Sequence, residues 1–105
     1  MMQDVVVTDE IQRLAQESPD NESGGYYTRD NKPYCIMALM LINVGLSDLE
    51  ELNEYGAGKF IASILISKGF TEFKTLNFAA NVQVKIDSGS TWGSAVETSL
   101  SLLTS

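Results

Sequence analysis

The chain contains no histidine, a single cysteine and two prolines in 105 residues, and only seven of its side chains are basic. The missing imidazole removes Ser-His-Asp and Cys-His catalysis, histidine-containing zinc sites, and the usual general base near neutral pH. One thiol, Cys35, forms no internal disulfide and builds no zinc or iron–sulfur site by itself. A reducing, cytoplasmic compartment is therefore expected, and no cofactor or metal. The amino terminus, Met1 to Asp4, has no basic stretch, and the apolar run behind it is only Val5-Val6-Val7, so no secretory signal is read there. The longest apolar run, Ile36 to Ile42, falls far short of the ~20 residues that cross a bilayer.

What is abundant is negative charge, and it is unevenly placed. The net charge is −7. Residues 1–54 carry eleven carboxylates against Arg13, Arg29 and Lys32, a balance of −8, while residues 55–105 carry three against four, a balance of +1. Phosphate binding depends on Lys and Arg, so nucleic acid is a poor partner for the first half and no direct nucleic-acid binding is expected. Lys74 and Lys85 are too few for a DNA-reading helix. An acidic face suits solubility, a basic protein partner, or imitation of a nucleic-acid backbone.

The length fits one domain, residues 1–105, and the 44% hydrophobic share is enough to form a core without disulfides or metals. The pattern predicts a mainly α fold of four or five helices around a buried central helix at 33–44, with short strands possible at 4–7, 25–28 and 82–86. Thr8 is expected to cap a first helix, with Asp9 and Glu10 in its first turn and Ile11, Leu14 and Ala15 inward, ending near Glu17 before Pro19. Residues 18–32 form a long polar loop rich in turn formers, with Tyr26-Tyr27 in its middle. Pro33 suits the first turn of the central helix, which is apolar on nearly every side up to Val44.

The most specific structural signal is a repeated piece of punctuation. Gly45-Leu46-Ser47-Asp48-Leu49 with Leu52 matches Gly69-Phe70-Thr71-Glu72-Phe73 with Leu76. Each reads as a helix stop, an apolar lock, an N-cap and an acidic first turn. The spacing predicts a third helix over 48–68, kinked at Gly56-Ala57-Gly58, with a stripe of Leu49, Leu52, Phe60 and Ile64. After Thr71 two readings stand. Phe73, Leu76, Ala80 and Val84 share a helical face, whereas Val82, Val84 and Ile86 alternate with polar residues as in a strand. Asp87 to Ser90 is a turn. A last helix presents Ala95, Val96, Leu100 and Leu103, capped by Thr91, or by Ser94 with Glu97.

Candidate functional residues follow from exposure and charge. Asp48, Glu50, Glu51 and Glu54 make a negative face on the third helix. Tyr26, Tyr27, Tyr34, Tyr55 and Trp92 are residue types that anchor interfaces, although Trp92 in its turn reads more readily as a lid over the core than as an interface anchor. Cys35 reads as a small core residue or, near a helix start, as a reactive thiol. Asp20, Glu22 and Gly25 lack the glutamate a calcium loop requires, which would fall on Asn31. Gly89 to Gly93 could offer backbone N–H groups to an anion, but no phosphate-loop lysine follows.

From Gly25 to Leu103 the layout resembles a family of small uncharacterised bacterial and phage domains. The corresponding residues are Gly25-Tyr26, Cys35-Ile36-Met37-Ala38 in place of Cys-x-x-Gly-Ala, and Ile86-Asp87 in place of a late Asn-Asp turn. Met37 stands where the family has glycine, and Ile86 where it has asparagine. The resemblance implies a helical fold and a phage or mobile-element source, and no activity. The expected function is protein–protein binding, in its sharper form inhibition of a host defence system or enzyme in the host cytoplasm. The rival expectations are a virion or assembly component, a homo-oligomer subunit, and a small-ligand-binding domain.

Overall fold

The computed structural model describes residues 4–56 and 59–104. The fold is mainly helical: α1 (Asp4–Glu17), a hairpin of β1 (Thr28–Arg29) and β2 (Lys32–Pro33), α2 (Ile36–Asn43), α3 (Leu49–Tyr55), α4 (Ile61–Ser67), α5 (Phe73–Asp87), α6 (Trp92–Glu97) and α7 (Ser101–Thr104). The core is built on α2, where Ile36, Met37, Ala38, Met40 and Leu41 are all buried. A helix apolar on every side can only be stable when neighbours cover it all round. Here α1 packs on α2, α5 and α6, and α5 also packs on α4, α6 and α7. Among the described residues no helix is long and apolar enough to cross a membrane.

The glycine corners form as the sequence suggests. At Gly45 (φ +80°) and Gly69 (φ +97°) the chain takes the left-handed conformation that L side chains disfavour. The next residue then turns its N–H back to the helix, Leu46 to the Leu41 carbonyl at 2.9 Å and Phe70 to the Leu65 carbonyl at 3.0 Å. A third corner of the same kind stands at Gly89, where the Ser90 N–H reaches the Lys85 carbonyl at 2.9 Å.

Caps and boundaries differ from the sequence expectation in several places. Residues 4–7 are helix rather than strand, and Thr8 is buried one turn inside α1 with its hydroxyl donating to the Val5 carbonyl. Val7, Ile11 and Leu14 continue one inward stripe, and burying it outweighs the strand preference of three valines. The caps shift one residue onward, from Ser47 to Asp48, whose Oδ1 accepts the Glu51 N–H, and from Thr71 to Glu72. The expected kink in a 48–68 helix is a full break. Gly56 (φ +62°) ends α3, and α4 restarts at Ile61; Ala57 and Gly58 lie outside the described residues.

The 25–28 strand is displaced to Thr28–Arg29 and paired with Lys32–Pro33, Thr28 opposite Pro33 and Arg29 opposite Lys32. Asp30 (φ +54°) and Asn31 (φ +60°) supply the left-handed pair that a two-residue hairpin turn needs. Pro33 therefore sits in a strand, not in the first helical turn; α2 starts after Cys35. Residues 82–86 are helix: Val82, Gln83 and Ile86 face inward while Val84 is 51% exposed, an order that strand alternation cannot produce. The same rotation turns Phe73 outward at 75% exposure, against the expected Phe73–Val84 core face. At the end of the chain Thr91, not Ser94, caps α6, accepting the Ser94 N–H at 3.2 Å, and the expected last helix is split into α6 and α7.

Most of the polar segment 18–27 is irregular but firmly attached. The Trp92 N–H donates to the Asn21 carbonyl (2.7 Å), the Gly93 N–H to the Pro19 carbonyl (2.9 Å), and the Trp92 indole N–H to the Ser23 carbonyl (3.0 Å). Asp87 Oδ1 accepts the Gly25 N–H at 2.8 Å. The strap runs so close to α5 that a Cβ on Gly24 would lie 2.6 Å from Ile86 Cγ2 and 3.1 Å from Asp87 Oδ1. Gly24→Ala is expected to destabilise the fold by about 1–3 kcal/mol through this overlap. A lowered urea midpoint at unchanged slope checks it, and a wild-type midpoint contradicts it.

Candidate functional site

The site is assembled where the strap, the hairpin and α3 meet the ends of α4 and α5. Its internal support is one polar cluster. Gln83, 8% exposed, points its carboxamide from α5 toward the start of α4. Its Oε1 accepts the Ile61 N–H at 2.8 Å. Its Nε2 donates to the Tyr27 hydroxyl at 2.8 Å, and that hydroxyl donates onward to the Lys59 carbonyl at 2.7 Å. Phe60, the residue at the cap of α4, offers no side-chain hydrogen bond, so Gln83 supplies the one that the helix start requires. Burial pushes the Tyr27 phenol well above its ordinary range, so it stays a neutral donor.

This arrangement separates two adjacent tyrosines that the sequence treats alike. Tyr27 is 2% exposed and meets the Tyr55 ring edge-on at 5.6 Å; Tyr26 is 60% exposed. Trp92 is also buried, at 2%. Tyr27 and Trp92 thus anchor the molecule internally, and neither offers a surface to a partner. Tyr55 is half-buried, its hydroxyl between Ser47 and Glu51.

The acidic residues of α3 divide in the same way. Asp48 is exposed but serves as the cap of α3. Glu51 accepts a hydrogen bond from Lys68 Nζ at 2.7 Å, which holds its carboxyl below the usual range and joins α3 to the end of α4. Glu50 and Glu54 are exposed, one helical turn apart, and neither has an ion pair among the described residues. Asp30, exposed at the tip of the hairpin that packs on α3, is a further carboxylate outside any ion pair among the described residues. The hairpin is tied to α3 by the Asn53 amide, which donates to Asn31 Oδ1 at 2.9 Å. Sequence reasoning missed Asp30, since only the tertiary position of the hairpin brings it to α3. The free part of the predicted acidic face is therefore Glu50 and Glu54, with Asp30 on the neighbouring hairpin.

Cys35 is neither exposed nor activated. It is 7% exposed, caps α2 by accepting the Ala38 N–H at 3.4 Å, and burial pushes its thiol up to about 11. A small, partly open hollow beside it, lined by Gly24, Met37, Gln83 and Asp87 among others, has room for about 10 Å3, the size of one water. Among the described residues no group of three or more Cys, Asp or Glu side chains is placed to hold a metal ion.

Comparison of the chain with protein-family models, with curated proteins and with solved structures finds no match.

Two outcomes test this geometry. Gln83→Leu strands the Ile61 N–H and removes a partner of Tyr27, so a loss of about 1–3 kcal/mol per unpaired group is expected in urea unfolding, and a smaller loss in the same direction for Tyr27→Phe. The Cys35 thiol is expected to react with a disulfide reagent at pH 8 about a hundredfold more slowly in the folded protein than in urea. Because the unfolded thiol ionises first, near 9.0, stability should also fall as pH rises from there toward about 11. Equal labelling rates in the folded and unfolded protein would show the thiol to be accessible.

Proposed function

We propose that this protein acts by binding another protein through the end of the molecule formed by α3 and the β1–β2 hairpin. The observation that carries this reading is the pair of exposed carboxylates Glu50 and Glu54 on one turn of α3, with Asp30 exposed on the hairpin packed against that helix, none of them in an ion pair among the described residues. Arg13 is held by Glu10 and Glu17 on α1 and Lys68 by Glu51, and the hairpin's Arg29 and Lys32 form no ion pair among the described residues, so Glu50, Glu54 and Asp30 are left without a bound cation. Like charges held together on a rigid support repel one another, and a basic surface relieves that repulsion. The partner is accordingly a protein with a basic face. The sharper form of the reading is an inhibitor of phage or mobile-element origin that covers the nucleic-acid-binding surface of a host enzyme, with carboxylates standing in for phosphates.

The test is charge reversal. The double variant Glu50→Lys, Glu54→Lys is expected to fold normally and to lose the basic proteins that the wild-type protein retains from lysate at low salt. The wild-type protein should release the same proteins as salt is raised. Retention of an identical set by the variant would refute the acidic-end reading.

A second reading, a subunit of a larger assembly, is favoured by the exposed apolar side chains of the α4–α5 region: Phe60 (60%), Ile66 (57%), Phe73 (75%) and Val84 (51%). Apolar groups so placed favour self-association. Light scattering separates the two readings, since an assembly subunit gains mass with concentration in the absence of any partner.

A further inference from the structure

On the hairpin lies a second feature of different chemistry. Gly24, Tyr26, Thr28, Arg29 and Tyr34 line an open hollow of about 490 Å3, within the ~300–1,000 Å3 that small-molecule sites occupy. The Arg29 guanidinium stands 5.3 Å from the Tyr34 ring centre, over its face, and Nη1 donates to the Tyr34 hydroxyl at 3.3 Å. Arg29 belongs to the half of the chain that holds eleven carboxylates, yet it pairs with none of them among the described residues. Its ring contact uses one face and one N–H, and leaves further N–H groups of the planar fork for an anion. Tyr26 supplies an exposed aromatic wall to the same hollow.

The mount is stiff. The two-residue turn at Asp30-Asn31 fixes the register of the hairpin. The Tyr34 N–H donates to the Tyr27 carbonyl at 2.9 Å, and Gly25 is held by Asp87. Tyr26 is therefore held outward because its neighbour Tyr27 is locked inward by Gln83 and Lys59. A cation pre-set by an aromatic stack, next to a second exposed ring, is a built arrangement for a flat, singly attached anion.

We infer that this hollow binds a small ligand made of a planar ring bearing a phosphate or carboxylate group, the ring lying against Tyr26 and the anion on the Arg29 fork. A mononucleotide and a phosphorylated tyrosine side chain share this chemistry. The inference shares the hairpin with the acidic-end reading but uses none of Glu50, Glu54 or Asp30, so charge reversal on α3 and a titration of Arg29→Gln test the two separately.

The experiment is an amide NMR titration of the full chain with adenosine 5′-monophosphate in one arm and O-phosphotyrosine in the other, against inorganic phosphate and the matching ring half, adenosine or tyrosine. At least one of the two ring-bearing anions is expected to give saturable shifts at the amides of Tyr26, Arg29 and Tyr34, and to bind about tenfold tighter than either half. The arm that binds more tightly identifies the source, nucleotide or phosphopeptide. Arg29→Gln and Tyr26→Ala, with their remaining spectra unchanged, should each weaken that binding about tenfold. Absence of saturable shifts in both arms would overturn the inference. So would a titration of Arg29→Gln that matches wild type.

Discussion

The carboxamide of Gln83 holds three parts of the chain in one arrangement. It satisfies the first N–H of α4 and fixes the Tyr27 hydroxyl against Lys59. The groups it joins come from α5, from the approach to α4 and from the strap before the hairpin, far apart in sequence. A buried polar cluster of this kind tolerates no partial version, because each stranded donor would carry its full desolvation cost. That requirement gives the region a single geometry, and the exposed features nearby inherit it. Tyr26 points out because Tyr27 points in, and the hairpin lies on α3 because both of its ends are anchored.

Around that cluster the molecule uses its charges sparingly. The described residues contain three ion pairs. Two are made by Arg13 along α1, where Glu10 also accepts from Asn43 of α2 at 2.8 Å and is held below its usual range chiefly by the Arg13 hydrogen bond. The third joins α3 to α4 through Glu51 and Lys68. Lys85 spends its ammonium on hydroxyls, Thr98 at 3.0 Å and Ser99 at 3.1 Å, and so fastens the end of α5 to the segment between α6 and α7. Glu50, Glu54 and Asp30 at the α3–hairpin end, like Asp9, Asp20, Glu22, Glu72 and Glu97 elsewhere, are exposed and outside any ion pair among the described residues. Exposed ion pairs contribute little to stability, so the placement of charge shapes what the surface attracts more than how firmly the chain folds.

Much of the architecture was legible before any coordinates. The glycine corners at Gly45 and Gly69 were readable because an L side chain is strained at positive φ, a local fact independent of the rest of the fold. The buried central helix was readable because a run apolar on every side has no stable place at the surface. The cap slipped by one residue at Asp48, since serine beside an acid offers two acceptors of similar quality; at Glu72 the boundary moved by the same step with no side-chain cap bond. The hairpin was missed because Pro33 suits a strand edge as well as a helix start, and Asp30-Asn31 is a weaker turn signal than a pair ending in glycine. Of the candidate site, Glu50, Glu54 and Tyr26 are exposed as expected, whereas Tyr27 and Trp92 are internal. The residue types suited both roles.

By itself, then, the amino-acid sequence determined what depends on local sterics and composition: helix ends at glycines, a central apolar helix, the absence of imidazole chemistry, and an excess of carboxylate in the first half. Tertiary structure alone decided which side of α5 faces inward, which of two neighbouring tyrosines is buried, and which acids of α3 remain free. The physical reason is common to all three. Each choice is made by a partner distant along the chain: the Ile61 N–H for Gln83, Lys59 and Gln83 for Tyr27, and Lys68 for Glu51. No window of neighbouring residues contains both halves of such an interaction.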